Sequence, residues 1–152
     1  MSTSLSAPQR RRLEQAARAA AQNSYSPYSA FRVGSAVLAG SGKIYAGCNV
    51  ENASYGLCHC AEQTAIVTAI AAGESSIAAV VVYTPTEDVT APCGACRQVI
   101  NEFGPAAVVI SVCDSDATIE TDLPALLGHA FGPANLLKAS GVKTGRKGRG
   151  KR

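Results

Sequence analysis

Cys60-Ala61-Glu62 and Pro92-Cys93-Gly94-Ala95-Cys96 constrain this chain most, because three thiol ligands from two distant segments must meet at one point. A zinc held by three protein ligands keeps its fourth position for water, whereas a structural zinc is closed by four. Water on zinc becomes a nucleophile at neutral pH, and a carboxylate beside it, here Glu62, can carry protons without ligating. Cys60, Cys93 and Cys96 are therefore the expected metal ligands.

Cys93 and Cys96 stand three residues apart at the start of a predicted helix, so their side chains project to neighbouring positions. Cys60 opens another helix, and the positive end of a helix dipole favours thiolate, the form that binds metal. Two helix N-termini could then converge on one anionic cluster. Glu62 lies about 200° around an ideal helix from Cys60, but a metal near the end of the axis brings both within reach. A redox pair or half of a zinc ribbon is the bland alternative to this C-x-x-C, yet no second C-x-x-C exists. The strongest structural-zinc alternative makes Cys58 or His59 the fourth ligand. Cys60 alone fits the two-residue step to Glu62, so His59 reads as a neighbour of the site and His129 as an ordinary loop or helix histidine.

At 152 residues the chain suits one domain with a real core. No apolar run reaches the length of a spanning helix, and Arg10, Arg11 and Arg12 are not followed by a signal-peptide core, so a cytoplasmic protein is expected. All six cysteines read as reduced. The formal charge of +3 misleads: Lys143, Arg146, Lys147, Arg149, Lys151 and Arg152 crowd into the last twelve residues, and removing those six charges from +3 leaves −3. Residues 1–140 should form the zinc domain and 141–152 a basic, disordered tail. The body has no evident basic groove; only that tail speaks for nucleic-acid contact.

Leu13, Ala16, Ala17 and Ala20 mark one face of a helix over Pro8–Gln22. Phe31–Leu38 and Ile44–Asn49 read as strands joined by the hairpin signal Gly40-Ser41-Gly42-Lys43. Residues 60–72 read as a helix stopped by Gly73, Ala78–Tyr83 as a buried strand, Pro92–Phe103 as a helix and Ala107–Cys113 as another buried strand. A further strand is expected near Ala117–Glu120 and a short helix over Thr121–Leu127. Strands apolar on both faces call for helices on both sides, so the fold class is α/β: a three-layer α/β/α sandwich around a mixed sheet of about five strands.

Four motifs then carry a resemblance. Tyr28-Ser29-Ala30-Phe31-Arg32-Val33-Gly34, Gly47-Cys48-Asn49-Val50-Glu51-Asn52-Ala53-Ser54-Tyr55-Gly56, Cys60-Ala61-Glu62 and Pro92-Cys93-Gly94-Ala95-Cys96-Arg97-Gln98 closely resemble the small, homotetrameric, zinc-dependent cytidine deaminases, over roughly residues 10 to 137. The resemblance implies one Zn²⁺ per subunit, and hydrolysis of cytidine and 2′-deoxycytidine to the uridine products plus ammonia, a step of pyrimidine salvage. Glu62 would move the protons while activated water attacks C4. Asn49 and Glu51 would hold the ribose hydroxyls, Phe31 would pack on the pyrimidine, and the Ala61 N–H would bind the base carbonyl. Ala53, Ser54, Tyr55 and Phe131 match positions that complete a neighbouring subunit's site. One departure stands out: the family usually has Arg after Cys-Ala-Glu, and this chain has Gln63, which leaves helix dipoles and Arg97 to offset the thiolate charge. Two rival readings are a deaminase of a nucleic-acid base or aminonucleoside antibiotic, and a non-catalytic zinc-binding module.

Overall fold

The computed structural model describes residues 5–139; the expected 141–152 tail lies outside them. Helix α1, Ala7–Ala21, starts at a capping box in which the Gln9 N–H donates to Ser6 Oγ and the Ser6 N–H to Gln9 Oε1. Pro8 sits in its first turn, where a missing N–H costs nothing. Leu13, Ala17 and Ala21 are buried, which is the apolar face read from the sequence, shifted slightly around the axis.

Strand β1, Gly34–Ala39, turns through Gly42 at φ 88° into β2, Ile44–Cys48. A single 3-10 turn at Tyr55–Leu57 precedes α2, Ala61–Ala71, which Gly73 closes at φ 95°. Then come β3 (Ile77–Tyr83), α3 (Gly94–Phe103), β4 (Val108–Val112), β5 (Thr118–Asp122), α4 (Leu123–Leu126) and α5 (Pro133–Ala139). The sheet order is β2-β1-β3-β4-β5, and every pair is antiparallel except β3–β4. That parallel pair is joined through α3, the crossover that parallel strands require.

The three-layer sandwich is borne out. On one side of the sheet Leu13, Ala17 and Ala21 of α1 pack on Ala36, Val81 and Ile110; on the other, Ile66 and Ile100 of α2 and α3 pack on Val37, Val80 and Val82. Small residues set the spacing. A Cβ on Gly34 would stand 1.9 Å from the Ala17 carbonyl, and one on Gly47 2.4 Å from the Ala65 nitrogen. So α1 lies directly on β1 and α2 on β2.

Two departures from the sequence reading have physical causes. The first strand starts at Gly34 and not at Phe31, because Ala30 is left-handed (φ 55°) and the Asn49 side chain takes the Val33 N–H and the Phe31 carbonyl that a strand would have paired. Helix α5 was not anticipated; at seven residues it is too short to declare itself by periodicity. No helix among the described residues is long and apolar enough to cross a membrane.

Candidate metal centre

The N-termini of α2 and α3 come together at the carboxyl end of β3, with Cys60 as N-cap of α2 and Cys93 as N-cap of α3. Neither cap side chain bonds its own helix. Both sulfurs instead face each other, with Cys60 Sγ and Cys93 Sγ 3.9 Å apart. Cys96, one turn into α3 and fully buried, completes the set, and the three sulfurs lie within 4.8 Å of one another. This cluster can hold a metal ion.

The electrostatics fit a cation. The Cys60 thiol is pulled down to about 7, first by a hydrogen bond from Cys96, against burial and the nearby Glu62 charge. Cys96 is pushed up, first by Cys60 and then by burial and Glu62. Three thiolates this close repel one another, so only a cation lets all three ionise together. Soft sulfur donors in a set of three suit zinc with one position open.

Glu62 sits in the first turn of α2, 4% exposed. Burial pushes its carboxyl up, opposed by its own backbone N–H and by Cys96. Cys58 and His59 do not close the metal set. Cys58 Sγ accepts the Asn52 N–H at 3.2 Å, and the His59 backbone pairs with Val50.

A cavity of about 320 Å³ opens onto the cluster, lined by Phe31, Asn49, Glu51, Cys60, Ala61, Glu62 and Cys93 among others. All the residues expected to bind within one subunit are therefore gathered in it. Asn49 Oδ1 accepts from Val33 N at 2.9 Å and from Ser24 Oγ at 2.5 Å, while Nδ2 donates to the Phe31 carbonyl at 2.8 Å. Its orientation is thus fixed by the Val33 and Phe31 backbone and by Ser24, and these bonds use only one of its two amide N–H groups. Glu51 accepts the Tyr28 and Ser29 N–H groups and the Ser29 hydroxyl. That hydroxyl, more than the two amides, holds its carboxyl below the usual range.

Tyr55 and Phe131 are not brought into the cavity; their side chains are 73% and 58% exposed. The backbone at Phe131 is nevertheless tied down, its carbonyl accepting from Gln98 Nε2 and Asn101 Nδ2 on α3. Gln63 lines a separate open groove with Val50, His59 and Val67. Arg97 donates from Nε to the Pro92 carbonyl and from Nη1 to the Leu126 carbonyl. It thereby anchors the residue before Cys93 and leaves its positive charge without a carboxylate in those bonds. His129 is a loop residue at φ 51°.

Sequence reasoning missed Ser24, Ser29, Thr84 and Thr90. Ser29, Thr84 and Thr90 line the cavity, and Ser24 holds Asn49. Thr84 could have been found, since it follows β3 two positions after Val82 and so shares its face of the sheet.

Residues 8–112 match the family model described as the cytidine and deoxycytidylate deaminase zinc-binding region. The chain belongs to this family. Among curated relatives of this deaminase, a cytidine deaminase from Sporosarcina psychrophila is 43% identical over 122 residues, which is 80% of this chain and 90% of that one. Among solved structures, a cytidine deaminase from Burkholderia pseudomallei superposes with a TM-score of 0.76 at 47% identity, covering 80% of this chain and 98% of that one. The cytidine deaminase of Mycobacterium tuberculosis does so with a TM-score of 0.70 at 38% identity, covering 80% and 96%. The five-stranded mixed sheet is the deaminase fold of these neighbours.

Proposed function

We propose that this protein is a zinc-dependent hydrolase that converts cytidine and 2′-deoxycytidine to uridine and 2′-deoxyuridine with release of ammonia. The observation that carries the reading is a three-thiol cluster and a buried Glu62 at one end of a small cavity, with Phe31, Asn49 and Glu51 along its walls. Zinc on Cys60, Cys93 and Cys96 would supply a water activated for attack at neutral pH.

This chain's own residues do the rest. Phe31 offers an aromatic face to the base, and the Ala61 N–H, which has no partner within the helix at the start of α2, donates to the base carbonyl. Glu62 takes a proton from the attacking water, passes it to N3 of the base, and helps protonate the departing amine. Its burial suits both roles, because a carboxyl raised by desolvation holds and releases a proton more evenly than an exposed one. Water adds at C4, the C4–N bond breaks, and the nitrogen leaves as ammonia.

The sugar contacts favour a free nucleoside. Glu51 keeps lone pairs and Asn49 keeps one N–H after their internal bonds are made. A single sugar hydroxyl satisfies both at once, donating to the carboxylate and accepting from the amide. A phosphodiester at that position cannot donate, and its charge opposes Glu51, which argues against an internal base of a nucleic acid.

The exposed rings of Tyr55 and Phe131 support an assembly in which each subunit lends side chains to its neighbour, a homotetramer with shared sites. The reading also places the enzyme in pyrimidine salvage in the cytoplasm. Mixing the protein with cytidine and following cytosine absorbance and ammonia tests the activity; no turnover of either nucleoside by zinc-loaded protein would refute it. Sedimentation of a fully active monomer would refute the shared site.

A further inference from the structure

Ser29 carries more of this cavity than its size suggests. Its hydroxyl accepts the Phe31 N–H at 3.0 Å and donates its one proton to Glu51 Oε1, while its backbone N–H and that of Tyr28 donate to Glu51 Oε2. The direction is fixed, since an N–H can only donate and an ionised carboxylate can only accept. A chain of two hydrogen bonds therefore runs from the residue that walls the base to the residue that faces the sugar.

The backbone between the two ends is held in an uncommon state. Ala30, between Ser29 and Phe31, lies at φ 55°, a left-handed conformation in which the Cβ of an L-residue crowds the following carbonyl oxygen. The turn folds the Phe31 N–H back onto the Ser29 hydroxyl, and the bonds to Glu51 and Asn49 hold it there. Strain of this kind persists only where surrounding contacts over-determine it, and it gathers at ligand clamps.

We propose that Ser29 is a positioning residue: its hydroxyl sets the Glu51 carboxylate against the substrate's 3′-hydroxyl, while Phe31 stays held through its carbonyl by Asn49, so substrate affinity depends on a side chain behind the sugar contact. The proposal rests on the nucleoside reading above. Without the hydroxyl, Glu51 loses a charge-assisted partner and Oε1 is free to swing away from the sugar. The zinc cluster is held by other elements, the N-termini of α2 and α3, and is not disturbed.

The test compares wild type, S29A and S29T on cytidine and on 2′,3′-dideoxycytidine, with zinc content measured on each protein. Losing a hydrogen bond to a charged group lets KM of S29A for cytidine rise about tenfold with kcat within about threefold. On the dideoxy substrate, which lacks the 3′-hydroxyl that Glu51 would hold, S29A changes kcat/KM by no more than about twofold, and S29T, which keeps the hydroxyl, stays near wild type on both. Equal losses on the two substrates, no loss on cytidine, an S29T protein as impaired as S29A, or an S29A protein that loses zinc or fold each overturn the proposal. Wild-type protein inactive on cytidine overturns the nucleoside reading itself and the proposal with it.

Discussion

Replacing Gly47 by Ala tests how the fold holds the metal site. Gly47 faces α2, where a Cβ would meet the Ala65 nitrogen at 2.4 Å, the Thr64 carbonyl carbon at 2.8 Å and the Thr64 Cβ at 2.9 Å. Two of these three atoms are backbone, so no rotamer change relieves the clash. Ordinary contact begins near 3.4 Å, so β2 and α2 must part by about 1 Å, an overpacking change that costs roughly 1–3 kcal/mol. The gain from losing a flexible glycine returns about 0.5 kcal/mol. A net loss of ~1.5 kcal/mol lowers the melting temperature by about 3–6 °C in a domain of this size. Because Cys60 is the N-cap of α2 and Glu62 lies in its first turn, the shift also changes the 3.9 Å approach of Cys60 to Cys93. Calorimetry and competition with a zinc chelator read the two effects, and zinc affinity should fall about tenfold if the shift removes ~1.4 kcal/mol of ligand geometry. A G47A protein that melts within 1 °C of wild type and holds zinc equally well would refute the reasoning.

Three further outcomes follow from the site. E62Q keeps the shape of the buried carboxyl but not its proton chemistry, so it should retain zinc while kcat falls about 10²–10⁴-fold; near wild-type turnover would remove Glu62 from the reaction. C96A deletes the buried member of the three-sulfur set, and metal analysis should find the purified protein without stoichiometric zinc; unchanged metal content would remove Cys96 as a ligand. Glu51 carries a lowered folded value, so its contribution to stability is complete above the ordinary carboxylate range and is lost as pH falls through the lowered value. The melting-temperature gap between wild type and E51Q should therefore be widest near neutral pH and close in acid; a gap that is constant with pH would show the Glu51 charge has no part in it.

The metal set was legible because Cys60 and Cys93 open helices and Cys96 lies one turn into the second, and helix starts announce themselves through Pro92 and through the apolar residues of the helix that follows Cys60. The layers were legible for a related reason: β1 and β4 are buried along their whole lengths and read as nearly continuous apolar runs, each interrupted by one buried serine, Ser35 or Ser111. The segment from Tyr25 to Val33 was not. Its shape comes from long-range bonds to the side chains of Asn49 and Glu51 and from the left-handed Ala30, and no local propensity records a bond to a residue some twenty positions away. Ser29 escaped notice for the same reason, although it stands inside a motif already singled out. The electrostatic question raised by Gln63 is answered in part. Arg97 spends its bonds on the Pro92 and Leu126 carbonyls and so keeps its charge at the start of α3, while Gln63 faces a different groove.

The central claim is that one zinc on Cys60, Cys93 and Cys96 makes this cavity a cytidine deaminase. Stripping the metal and titrating zinc back while following cytidine turnover tests it most directly. Activity should be absent without metal and rise in proportion to zinc until each chain holds one ion. Full turnover by metal-free protein, or none at one zinc per chain, would contradict it.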